Sequence, residues 1–148
     1  MKVSGLLVIA LIAALTSNSA AQETRRYINP SSVADSTALP FSGAVLVGNT
    51  LYLSGAIGID EDRQVPDTAE EEARNVLNSV RGTLEAADMS MDDLVSVQVF
   101  CSDVAHYDVF NRVYRTFFKG EFPARAFLGS GTLLFGARFE VQGIAVRR

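Results

Sequence analysis

Apolar residues recur along this chain in two periods, and the change of period marks out the elements. Two short β-rich runs, residues 43–47 and 50–54, are separated by Gly48-Asn49, the two-residue spacing of a tight hairpin. From there the period lengthens: Ala69, Ala73, Val76, Leu77, Val80, Leu84 and Ala87 recur every three or four positions. This predicts an amphipathic helix of about five turns with one face on a sheet. Asp67 with Glu70 three residues on supplies an acidic cap, and Glu70, Glu71 and Glu72 suit the positive end of the helix dipole.

Residues 94–101 return to the two-residue period, which places Val95, Val97, Val99 and Cys101 together on one side of a buried strand. Cys101 then reads as a packed thiol rather than a nucleophile. A second helix is expected over residues 105–119, closed by Gly120, with Tyr107, Phe110, Val113, Tyr114, Phe117 and Phe118 on its apolar side. The final strand, 138–146, alternates again. Its order after the preceding elements, β-β-α-β-α-β-β, defines an α+β domain: one mixed sheet with two helices on one face. The face left uncovered has to be solvated or buried in an oligomer.

The N-terminal segment stands apart from this pattern. Lys2 precedes a nearly unbroken apolar run over residues 3–15, and Ser19-Ala20-Ala21 places small residues at a cleavage position. Residues 1–21 are therefore expected to form an export signal, leading to the periplasm or outside the cell, with no stable membrane insertion after cleavage. Retention as an uncleaved anchor is the competing reading. Residues 22–39, rich in Ser, Thr, Asn and Ala, are expected to be an extended lead-in, and 40–148 the folded domain. The chain of 148 residues has a formal charge of −4, which gives no electrostatic footprint for nucleic acid. One Cys and one His leave neither a disulfide framework nor a supported zinc or Cys-His site.

The candidate chemistry lies in residues 121–128, Glu-Phe-Pro-Ala-Arg-Ala-Phe-Leu. Pro123 forces an extended entry, so Arg125 and Phe127 share one face of a strand, and Ala124, Ala126 and Leu128 form the other, small and apolar and expected to be packed. A guanidinium on a rigid strand suits bidentate recognition of a carboxylate or phosphate, although a surface arginine or a structural ion pair has the same local sequence. Asn111 falls on the Tyr107, Tyr114, Phe118 stripe of the second helix, where a buried amide needs a backbone or ligand partner. Ser54 ends a strand beside Gly55, positioned to cap a turn or touch a ligand.

These residues carry a resemblance. Phe122-Pro123-Ala124-Arg125, the Ser54-Gly55 strand end, Asn111 in a helix running into Phe117-Phe118, and the closing Ile144-Ala145-Val146-Arg147-Arg148 look like the RidA (YjgF-type) family of enamine/imine deaminases over residues 40–148. The resemblance implies a chorismate-mutase-like α+β subunit in a homotrimer, ligand pockets between subunits, and no metal or organic cofactor. It implies hydrolysis of 2-imino or 2-enamino acids to 2-keto acids and ammonia. Arg125 matches the arginine that clamps the substrate carboxylate, and Ser54 and Asn111 match polar pocket positions. Phe41 stands where a tyrosine is common, Phe127 where a cysteine is, and Gln142 where the glutamate that handles water is placed. The link from Phe118 to Phe122 is shorter than in familiar members. An amide orients water but does not accept its proton, so an enzyme of reduced efficiency and a non-catalytic carboxylate-binding or chaperone-like trimer are the two readings.

Overall fold

The computed structural model describes residues 24–29, 40–60 and 62–148. The expected export signal lies outside them. A single six-stranded mixed sheet runs in the order β1-β2-β3-β6-β4-β5. Its strands are β1 (Arg25–Ile28), β2 (Ala44–Val47), β3 (Thr50–Ile57), β4 (Leu94–Cys101), β5 (Ala124–Gly129) and β6 (Phe139–Val146), and its helices are α1 (Ala69–Glu85) and α2 (Tyr107–Arg115). Among the described strands, β4 and β5 alone pair in parallel, joined by the crossover through α2; every other pairing of them is antiparallel. Leu51, Leu53, Val97, Val99, Val141 and Ala145 turn toward the helices and are buried against Ala73, Val76, Leu77, Val80, Leu84 and Phe110. Among the described residues nothing covers the sheet's opposite face, and Tyr52 is half exposed on it.

The mixed sheet with two helices agrees with the alternation read from the sequence, and several details differ, among them β3, which runs through Ser54 and Gly55 to Ile57 rather than ending at Ser54. Part of the expected lead-in is structural: Arg25–Ile28 is an antiparallel edge strand on β2. Backbone pairing needs no side-chain pattern, and only Ile28 of this strand is buried, so no periodicity announced it. Val95 is exposed rather than in the core, because the β4–β6 register shifts between Leu94 and Ser96 and Leu94 takes the inward position. On β5 the packed side is that of Arg125 and Phe127, while Ala124, Ala126 and Leu128 are exposed on the uncovered face. Parallel pairing of Val97 with Arg125 and Val99 with Phe127 puts those pairs on the same side.

Both helices start or stop a little away from their predicted limits. Thr68, not Asp67, caps α1: its hydroxyl accepts from the Glu71 N–H at 3.2 Å and donates to the Glu71 carboxylate at 2.9 Å. α2 is preceded by a 3₁₀ turn at Val104–His106 and ends at Arg115, where the Thr116 hydroxyl donates to the Val113 carbonyl at 2.7 Å. Phe117 and Phe118 therefore lie on the turn beyond the helix.

Glu72 is more than a dipole partner. It is fully buried, and its carboxylate accepts from the Arg138 and Phe139 backbone N–H groups at 2.5 and 2.9 Å and from Arg138 Nη1 at 2.8 Å. It fastens the first turn of α1 to the start of β6. Cys101 is buried, donates to the Asp103 carbonyl at 2.9 Å, and has its thiol pushed up chiefly by burial, as befits a packed rather than a reactive group.

Candidate functional site: an arginine in an aromatic cage

β5 and α2 converge at the edge of the sheet, and Arg125 points from the strand toward the helix. Its Nη2 donates to Asn111 Oδ1 at 2.6 Å. One helical turn beyond Asn111, the Tyr114 ring lies 4.5 Å from the guanidinium carbon, and the Phe127 ring lies 5.9 Å from it. Phe127 is itself fixed edge-on by Tyr107 and Phe110, at centroid distances of 5.0 and 5.6 Å. A strand arginine is thus immobilised by one amide and two aromatic faces.

What those neighbours leave unsatisfied defines the chemistry. Arg125 Nη1 and the Tyr114 hydroxyl are buried without a hydrogen-bond partner among the described residues. Each unmade bond at a buried polar group costs about 1–3 kcal/mol, so the pair forms a site that gains on meeting an acceptor. Burial pushes the Tyr114 hydroxyl up to about 12, against an opposing pull from the Arg125 charge, so it remains a neutral donor at physiological pH. The adjoining cavity, about 180 Å³, is lined by Asn111, Tyr114, Arg115, Phe122, Pro123 and Arg125. A guanidinium N–H and a phenol O–H presented together suit an anion with two acceptor oxygens, such as a carboxylate.

The other expected site residues are elsewhere in the single chain. Gln142 is on the uncovered face, where its Nε2 donates to Gln98 Oε1 at 2.5 Å within a groove also lined by Tyr52, Ser96 and Ile144. Arg125 and Gln142 thus occupy opposite faces of the sheet. Ser54 fastens a loop, its hydroxyl donating to the Ser42 carbonyl at 2.6 Å. Phe41 is 56% exposed and outside the Arg125 cavity. Asn111, Arg125 and Phe127 are brought together; Ser54, Phe41 and Gln142 do not join them within one subunit.

Four residues of interest were not singled out as site residues from the sequence. Tyr114 follows Asn111 by three positions, a spacing that puts both on one helix face, and Phe122-Pro123 immediately precede the arginine strand. Arg115 carried no comparable signal. Glu140, on β6, stands apart from these four. An added Cβ on Gly55 would come within 2.0 Å of its Oε1, so the glycine beside Ser54 makes room for this carboxylate, which has no ion-pair or hydrogen-bond partner among the described residues.

Fold and site define a class: small α+β subunits whose mixed sheet backs two helices and presents an arginine from an edge strand to an aromatic-lined cavity. The chain belongs to the family described as Endoribonuclease L-PSP, matched over residues 32–147, the RidA/YjgF family that the sequence resembles. It is 36% identical over 110 residues to a mouse protein named 2-iminobutanoate/2-iminopropanoate deaminase, covering 73% of this chain and 82% of the relative. A human protein of the same name is 34% identical over 110 residues, 73% of this chain and 80% of the relative. Among solved structures, RidA from an Antarctic Psychrobacter superposes with a TM-score of 0.74 at 30% identity, covering 82% of this chain and 99% of the other. Escherichia coli TdcF with bound serine superposes at 0.75 with 26% identity, covering 83% and 100%.

Proposed function

We propose that this protein hydrolyses 2-imino acids to 2-keto acids and ammonia. The observation that carries the reading is the unpartnered Arg125 Nη1 beside the unpartnered Tyr114 hydroxyl, two donors for the substrate carboxylate; the names of the mouse and human relatives supply the reaction. Water adds through oxygen to the C=N carbon while a proton goes to nitrogen. The carbinolamine then loses ammonia as its hydroxyl proton leaves and C=O forms. Each transfer needs a base that becomes an acid.

The chain offers two positions for that group on the face opposite Arg125. Gln142 is the one that the family resemblance implies, but its amide cannot take a proton and is bonded to Gln98. Glu140, two residues earlier on the same face of β6, is a carboxylate with no such bond. We place both in a cleft between subunits of a homotrimer, where the uncovered sheet face of one subunit meets the Arg125 edge of the next. This is supported by the location of the two halves on opposite faces of one sheet.

Imine hydrolysis followed by ammonia or keto-acid release tests the assignment. Glu140→Gln is expected to lower kcat by about 10²- to 10⁴-fold, the usual contribution of general acid–base catalysis, with little change from Gln142→Glu. A rate gained by Gln142→Glu would assign the water to position 142. Wild type without hydrolysis of any 2-imino acid, yet binding 2-keto acids, would leave the carboxylate-binding reading. The N-terminal pattern supports export of the mature chain, which N-terminal sequencing of the native protein checks by a start after Ala21.

A further inference from the structure

The Arg125 cavity has a second cation. Arg115 follows Tyr114 on α2, and its guanidinium carbon lies 5.7 Å from the ring centroid of Phe122, which in turn stacks on Tyr114 at 6.2 Å and 25°. Arg125 closes the series, its guanidinium carbon 4.5 Å from the Tyr114 ring. Two guanidiniums therefore border one cavity, with two aromatic rings and Pro123 between them. None of the lining residues is acidic, and neither arginine has an ion-pair partner among the described residues. This concentration of positive charge occurs in a chain whose net charge is −4.

A ligand with one carboxylate answers only half of this arrangement. Once Arg125 and the Tyr114 hydroxyl hold the acid group next to the C=N carbon, the substrate side chain has the Tyr114 and Phe122 faces beside it and Arg115 at the solvent-exposed rim. Methylenes suit the aromatic wall and an anion suits its end. We propose that the cavity selects 2-imino acids whose short methylene side chain ends in a second carboxylate, with Arg115 as the specificity-determining residue. The proposal rests on the deaminase reading for the reaction, in which the same C=N bond is broken and ammonia released. Its binding component stands apart from turnover.

The test compares 2-oxoglutarate with 2-oxobutanoate in calorimetry, and the imines made in place from glutamate and 2-aminobutanoate by an amino acid oxidase in the hydrolysis assay. An exposed cation meeting a carboxylate contributes modestly, so the diacid is expected to bind roughly fivefold more tightly. The ratio should shrink as salt is raised, approach one in Arg115→Gln, and invert in Arg115→Glu. Arg74→Gln, which removes an exposed arginine paired with Glu70, should leave it unchanged. Arg125→Ala should abolish binding of both acids. Equal binding by wild type, a ratio indifferent to Arg115, or binding that survives Arg125→Ala overturns the proposal. Hydrolysis of both imines without preference overturns it while the deaminase reading stands; a binding preference that depends on Arg115, without hydrolysis of either imine, supports the proposal and removes the deaminase reading.

Discussion

Arg125 is held by Asn111 and by aromatic rings, yet one of its terminal nitrogens has nothing to donate to among the described residues. Lysine at this position would retain charge but lose the fork, so Arg125→Lys is expected to bind 2-keto acids at least tenfold more weakly in calorimetry. Tyr114→Phe separates ring from hydroxyl. The ring still backs the guanidinium, while the loss of one hydrogen bond to a charged ligand should weaken binding by about tenfold. The same substitution has a signature in stability. Because burial raises the tyrosine from 10 to about 12 on folding, the native state binds the proton more tightly. Stability from this group is full below pH 10 and falls as pH rises toward 12, and denaturant unfolding of Tyr114→Phe should lack that part of the decline. Arg125 and Asn111 were legible because a charged residue in an apolar strand and an amide in an aromatic stripe are chemically out of place. Tyr114 was not, since a tyrosine in such a stripe satisfies the apolar pattern, and only its surroundings reveal an unpaired hydroxyl.

Among elements, the periodicity located both helices and most strands because each has a face on one core. It failed where pairing or geometry acts without side chains: β1 adds through its backbone, and the shift at Leu94 and Ser96 turns Val95 outward. Glu72 exposes a further limit, since its place in an acidic first turn predicts a solvated carboxylate. Its burial follows from β6 bringing Arg138 and two backbone N–H groups to it, and no local pattern encodes that meeting. Glu72→Ala would leave both N–H groups without their acceptor and Arg138 without its counter-charge, held only by the Pro66 and Asp67 carbonyls, at a cost of about 3–5 kcal/mol in chemical denaturation. Gly58, whose added Cβ would stand 2.2 Å from the Glu72 carbonyl oxygen, should tolerate alanine poorly for a different reason, since backbone would have to move aside.

For the whole molecule, the sheet presents one face to its helices and the other to its surroundings. The groove around Tyr52, Gln98, Gln142 and Ile144 and the exposed Ala124, Ala126 and Leu128 belong to that second face. The proposed trimer covers it and joins the two halves of the site, so sedimentation should give three chains per particle. A clean monomer with full activity would remove the shared cleft. The alternation announced an uncovered face without saying what lies upon it, since solvent and a second subunit impose similar demands on a half-polar strand.

β6 is the last strand in chain order and sits in the interior of the sheet, between β3 and β4, which do not pair with each other. The hairpins and the crossover unit can form from neighbouring sequence, but the seam that unites them requires Thr50 to find Val146. Closing so long a loop before its contacts reward it slows folding. A chain emerging residue by residue from the ribosome therefore cannot complete its sheet until β6 has been made, and it stays threadable until then.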